Sequence, residues 1–300
     1  MSFKNLATIL LIVTFKILNA QTIYKDSVFA KITKATYTYG KVENESLQFD
    51  YYKADNSRKK LPLVVFVHGG GFSGGSRDDD YTIAFANKLA QRGYAVASVS
   101  YRLTMKEIGF GCDVEATKKI AAFNSASNDV SLAIKYILDN DKKFNIDSNT
   151  IILAGSSAGA ETVLNMVYVY DNTILPLNFK YAGVISLAGA LSTLDKINNN
   201  TAIPTQLFHG TADNLVPYNF APHRFCNSND KGFIMLYGSD PIAERLKGLG
   251  ISYYFHSING GSHDWSYLPM TTYFDEIIDF LYYDVIHITS IRQTHRTTNN

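Results

Sequence analysis

A strand-sized apolar run followed by a helix-sized amphipathic stretch recurs along this chain, and no other feature restricts its fold as much. Leu63–Val67 (LVVFV) follows Pro62 and is apolar throughout. A run of that length without polar alternation fits a strand buried on both faces. Tyr81–Arg92 has helical spacing and stops at Gly93, and Tyr94–Ser100 (YAVASVS) is the next strand. Asn128–Lys143 reads as an amphipathic helix, Ile151–Ala154 as a strand, Ala158–Tyr170 as a helix and Tyr181–Leu187 as a strand. Thr205–Phe208 and Ser252–His256 are further strands, Pro241–Gly248 a helix and Thr271–Val285 a final amphipathic helix. Residues 35–53 carry β-formers around a turn region and suggest an antiparallel pair near the start. Strands alternating with helices imply βαβ units and a sheet covered on both faces. No linker divides the chain, so one α/β domain is expected over residues 21–287. The stretch 288–300 is polar without periodicity and reads as a flexible tail.

Composition narrows the function classes. The chain of 300 residues is 46% hydrophobic and 18% charged, which excludes disordered and fibrous architectures. Lys+Arg 28 against Asp+Glu 27 leaves no basic excess, so no nucleic-acid partner is expected. Residues 1–20 place Lys4 before the apolar run Leu6–Phe15 and end on Ala20, the pattern of a secretory signal peptide. That run is shorter than the ~20 apolar residues a spanning helix needs. A secreted or periplasmic protein is expected, with no stable membrane insertion once the signal is removed. In an oxidising compartment, the cysteines Cys112 and Cys226 are compatible with one disulfide, two unpaired thiols being the alternative. Two cysteines without a His/Cys cluster at ligand spacing argue against a structural metal site.

Gly155-Ser156-Ser157-Ala158-Gly159 lies between the strand IILA and a helix. A G-x-S-x-G sequence on a strand-to-helix turn exposes the serine hydroxyl, and only Ser157 has glycines two before and two after it. A serine hydroxyl needs a base to take its proton and an acid to orient that base. Of the seven histidines, His263 lies in a Gly-rich loop between the last expected strand and the last helix. Asp213 follows the strand TQLF in HGTADNLVP, whereas Asp195, Asp240 and Asp264 lack that placement. The charge that develops on a carbonyl oxygen needs preorganised N–H donors. Gly70 and Gly71 in His68-Gly-Gly-Gly-Phe72 and Ala158 after the serine are the backbone candidates. HGGGF lacks the Gly-Lys-Ser/Thr ending of a phosphate loop, and GSSAG lacks the dinucleotide spacing.

HGGGF, GSSAG, HGTADNLVP and GGSHDW together resemble the α/β-hydrolase superfamily, and within it the HGGG-type carboxylesterases and lipases. The likeness covers roughly residues 35–285. It implies a mostly parallel sheet of about eight strands with helices on both faces, small lid insertions, a Ser157–His263–Asp213 triad and no cofactor. It further implies a small-molecule or glycan-borne ester substrate. Ala160 stands where many relatives have another glycine, and no long N-terminal helical cap is present. HGTADNLVP is also similar to the acid segment of prolyl-oligopeptidase-type peptidases, so a peptidase or amidase is the alternative. A non-catalytic binding protein on the same scaffold is a third reading. Arg102–Asn128 and Val216–Ser239 are long enough to cover the site, with one cysteine in each. Phe72, Phe110, Tyr218, Phe220, Phe225 and Trp265 are the candidate pocket walls.

Overall fold

The computed structural model describes residues 21–42, 45–55 and 60–300. The signal peptide expected over residues 1–20 lies outside the described residues. In chain order the elements are β1 (Ile32–Val42), β2 (Glu45–Ala54), β3 (Leu61–Val67), α1 (Asp80–Ala90), β4 (Ala95–Val99), α2 (Ala116–Asp139) and α3 (Asp141–Phe144). There follow β5 (Ile146–Ser156), α4 (Ala158–Tyr168), β6 (Gly183–Leu187), β7 (Thr205–Gly210), β8 (Phe220–Pro222) and β9 (Met235–Tyr237). The chain ends with α5 (Ser239–Gly248), β10 (Tyr253–Asn259), α6 (Phe274–Phe280) and β11 (Gln293–Asn299). No helix among the described residues is long and apolar enough to cross a membrane.

The main sheet runs β1-β2-β4-β3-β5-β6-β7-β10-β11. β1 and β2, and β2 and β4, pair antiparallel, and every later neighbour pairs parallel. All seven residues of β3 are buried, because helices pack on both of its faces. Alternation along the strand divides them. Leu63, Val65 and Val67 join Ile134, Ile137 and Leu164 on one face. Val64 and Phe66 join Phe85, Leu89 and Ile277 on the other. β3 is also where the strand order reverses: the chain leaves it for β4 on one side and later returns to β5 on the other. Loops leaving two such strands diverge, and the crevice between them is where ligands bind in open α/β sheets.

Three expectations need correction. The tail is not free: β11 adds a ninth strand, in register with β10 from Tyr253↔Gln293 to Asn259↔Asn299. Its sequence QTHRTTN has no apolar face to signal a strand, and it is held by the backbone ladder and polar anchors. Arg292 N donates to Ser252 Oγ at 3.0 Å, and His256 Nε2 lies 2.8 Å from Thr298 Oγ1. The helix expected from Asn128 begins twelve residues earlier, at Ala116, and buries Lys119 and Ser127 among its apolar residues. The first insertion is therefore residues 102–115. The expected helix over Thr271–Val285 is a turn over residues 271–273, the short α6 and a wider π turn over Leu281–Ile286.

Candidate active site

β5 ends on Ser156 and α4 starts on Ala158, so Ser157 alone makes the turn between them. Its backbone sits at φ 52°, ψ −119°, which residues with a side chain rarely occupy. The turn is tight enough to demand the flanking glycines. A Cβ on Gly155 would lie 2.3 Å from Gly159 O, and one on Gly159 would lie 2.0 Å from Val67 O. Ser157 N donates to Leu187 O at 2.8 Å, which fastens the turn to β6. The hydroxyl is thereby lifted clear of the sheet.

Ser157 Oγ lies 2.8 Å from His263 Nε2. His263 opens a 3₁₀ turn, His263–Ser266, reached from the end of β10. Its Nδ1 lies 2.7 Å from Asp213 Oδ2. Asp213 sits three residues beyond β7 and is 2% exposed. Its Oδ1 accepts from the N–H groups of Leu215 and Val216 at 2.8 and 3.0 Å. Burial opposes ionisation of this carboxyl, but contacts with His209 and His263 outweigh it and hold the group well below the usual carboxylate range. His209 Nε2 is 3.3 Å from Asp213 Oδ2, and its Nδ1 is 2.9 Å from Ser239 Oγ. His209 is not among the site candidates read from the sequence. Its only signal was the spacing His209-x-x-x-Asp213.

Gly70, Gly71 and Ala158 all line the cavity above Ser157. Gly70 has φ +113°, and a Cβ there would meet Gly74 O at 2.2 Å, so the loop can be this tight only with glycine. Gly74 N donates back to Gly70 O at 3.0 Å, which fixes the loop's shape. Ala158 is the first residue of α4, where N–H groups have no acceptor within the helix.

The cavity is about 340 Å³ and is also lined by Ser73, Phe110, Ser156, Glu161, Leu215, Val216, His223, Arg224 and Ser266. Of the six expected walls, only Phe110 lines it. Phe72 is fully buried and packs on Tyr101, Phe110 and Phe123. Tyr218 lies against His209 and Phe255 and hydrogen-bonds Ser257 through its hydroxyl. Phe220 stacks on Tyr237 at 4.2 Å and is exposed, as is Phe225. Trp265 is buried on the sheet's other face against His256 and Tyr273. Phe72 and Phe225 have left-handed backbones, φ 58° and 53°, a property that residue type does not carry. Glu161, His223 and Arg224 went unremarked, although Glu161 lies one helical turn beyond Ser157 and so had a usable signal.

Cys112 and Cys226 form a disulfide with Cα atoms 5.3 Å apart, joining the insertion before α2 to the one after β7. Cys112, Cys226 and Asp230 are the one trio among the described residues with ligand atoms close enough to share a metal. Both sulfurs are consumed by their bond, so the trio does not make a metal centre.

The BD-FAE family model matches residues 49–184. Gut esterase 1 of Caenorhabditis elegans is 36% identical over 106 residues, 35% of this chain and 18% of that protein. Fumonisin B1 esterase of Sphingopyxis macrogoltabida is 34% identical over 106 residues, 34% of this chain and 19% of that protein. The matched region thus spans about a fifth of the length of these relatives. Among solved structures, the apo form of Thermogutta terrifontis esterase 2 superposes with a TM-score of 0.62 at 18% identity, covering 86% of this chain and 96% of that one. Its propionate-bound form gives 0.61 at 19% identity, with the same coverage. These superpositions agree in fold with the nine-stranded sheet and its helices.

Proposed function

We propose that this chain, a member of the α/β-hydrolase superfamily, hydrolyses carboxylic esters through an acyl-enzyme formed on Ser157. The observation that carries the reading is the unbroken line Ser157 Oγ–His263 Nε2–Nδ1–Asp213 Oδ2, with links of 2.8 and 2.7 Å. His263 Nε2 takes the proton as Ser157 Oγ attacks the ester carbonyl. Asp213 keeps the other proton on Nδ1 and stabilises the imidazolium that forms. The N–H groups of Gly70, Gly71 and Ala158 receive the oxyanion, each at about 3 kcal/mol of barrier lowering. The imidazolium then protonates the departing alkoxide. Water, activated by the same histidine, attacks the acyl-enzyme and releases the acid.

The esterase names among the relatives support carboxylic esters as the substrate class, and the cavity volume suits a small acyl or alcohol group. Esters borne on glycans belong to the same proposal. We assign the protein to the secreted or periplasmic space, in keeping with the signal pattern of residues 1–20 and the disulfide. Purified protein should release p-nitrophenol from short-chain esters, and Ser157→Ala should lower kcat by several orders of magnitude with an unchanged circular dichroism spectrum. Equal activity in Ser157→Ala, or cleavage of dipeptide anilides in preference to esters, would reject the reading.

A further inference from the structure

The cavity beside Ser157 holds a cation without a partner. Arg224 lines it, and its Nη2 would lie 3.7 Å from a Cβ placed on Gly71, so the guanidinium stands next to the glycine loop. Arg224 Nε is buried and has no hydrogen-bond partner. Among the described residues no carboxylate pairs with this side chain. Glu161, the one carboxylate on the cavity wall, has its Oε1 3.3 Å from His223 Nε2, and that oxygen, like Arg224 Nε, makes no hydrogen bond. Behind Phe110 lies a second cation: Lys119, fully buried, lies 5.5 Å from that ring's centroid and donates to Gly232 O at 2.9 Å. Burial and the neighbouring Arg224 both push its pKa down, so the two cations feel each other. Of the acidic neighbours of Lys119, Glu161 lies on the cavity wall, while Asp113 and Asp230 line a separate surface depression.

Holding Arg224 there is costly. Arg224 and Phe225 both have left-handed backbones, φ 55° and 53°, which non-glycine residues occupy only under strain. Arg224 N donates to Leu215 O at 3.0 Å, and Cys226 follows two residues on, tied by its disulfide to Cys112. A guanidinium so placed, with a buried unpaired donor, is a site short of its acceptor. We propose that Arg224 receives a carboxylate carried by the ester substrate, so that the preferred substrates are anionic esters whose charge lies on the acyl or the alcohol portion. This inference rests on the esterase reading and names its substrate class.

Two matched pairs test it and separate the two placements of charge. Monoethyl glutarate against ethyl pentanoate puts the charge on the acyl side, and O-acetyl-lactate against its methyl ester puts it on the alcohol side. In at least one pair the wild type should favour the anion by tenfold or more in kcat/KM, chiefly through KM. Arg224→Gln should erase that ratio, and Arg224→Lys should recover part of it. Free glutarate or lactate should inhibit competitively, with Ki raised tenfold or more in Arg224→Gln. Circular dichroism of both variants excludes loss of fold as the cause. Hydrolysis of the neutral esters with no anionic preference in either pair, or a preference that survives Arg224→Gln, overturns this inference alone. Failure to hydrolyse any ester, with Ser157 unlabelled by a fluorophosphonate, overturns the esterase reading and this inference with it.

Discussion

The two carboxylate oxygens of Asp213 are held by different partners, and this sets what a substitution there will do. In Asp213→Asn the amide oxygen can keep the Leu215 and Val216 N–H donors of Oδ1. The amide nitrogen then replaces Oδ2 and presents N–H groups to His263 Nδ1. His263 is forced into the tautomer protonated on Nε2, which cannot accept the Ser157 proton. We expect kcat for ester hydrolysis to fall about 10⁴-fold with little change in melting temperature. A fall below tenfold would remove Asp213 from the role given to it. Gly159 is the opposite case, since it does not line the cavity. Its added Cβ would sit 2.0 Å from Val67 O, a backbone atom that cannot swing aside. Gly159→Ala should cost about 3 kcal/mol in urea denaturation, the upper part of the usual overpacking range. A variant as stable as wild type would show that the turn after β5 has more room than described. Ser157, Asp213 and His263 were legible because their loops carry short local patterns at strand ends. The pocket walls were not, because Phe72, with φ 58°, turns into the core one residue after the glycines.

At the scale of elements, β11 is the strand least visible in sequence and the one with the most titratable anchoring. Asp284, 2% exposed in the π turn, meets Arg292 Nη1 at 3.1 Å just before β11, while its Oδ1 has no partner. Burial outweighs Arg292 and raises the Asp284 pKa from 3.8 to about 6. The folded state therefore holds a proton that the unfolded chain releases, and between about pH 4 and pH 6 stability falls as pH rises. Over two pH units the loss is on the order of 3 kcal/mol. Asp284→Asn should remove that part of the slope, so its stability relative to wild type should improve from pH 4 to pH 7. Urea midpoints at the two pH values check this, and a constant difference between the two proteins would contradict it. The sheet interior was legible because β3 and its neighbours are apolar on both faces. β11 was not, because backbone hydrogen bonds stabilise it without any side-chain pattern to betray them.

For the whole molecule, the Cys112–Cys226 bond spans 114 residues and closes a loop containing α2, β5, α4, β6 and β7. In the chain-entropy model a closure of that length is worth about 4–5 kcal/mol, through the unfolded state. Full reduction should lower the urea midpoint accordingly, and mass shifts after alkylation should show two thiols only after reductant. Because the bond also flanks the strained Arg224–Phe225 backbone, reduction should raise KM for preferred esters more than it lowers kcat. A reduced protein with unchanged KM would show that the core alone holds the cavity wall. Trp265 gives the fold a further property. It is the chain's single tryptophan, buried two residues after His263 with its ring 5.4 Å from that of His256. Light emitted on excitation at the red edge of aromatic absorption therefore comes from one place, the turn that carries His263. Colour and quenching of that emission report whether this turn is seated, so the protein carries its own optical gauge of site assembly, readable without substrate or label.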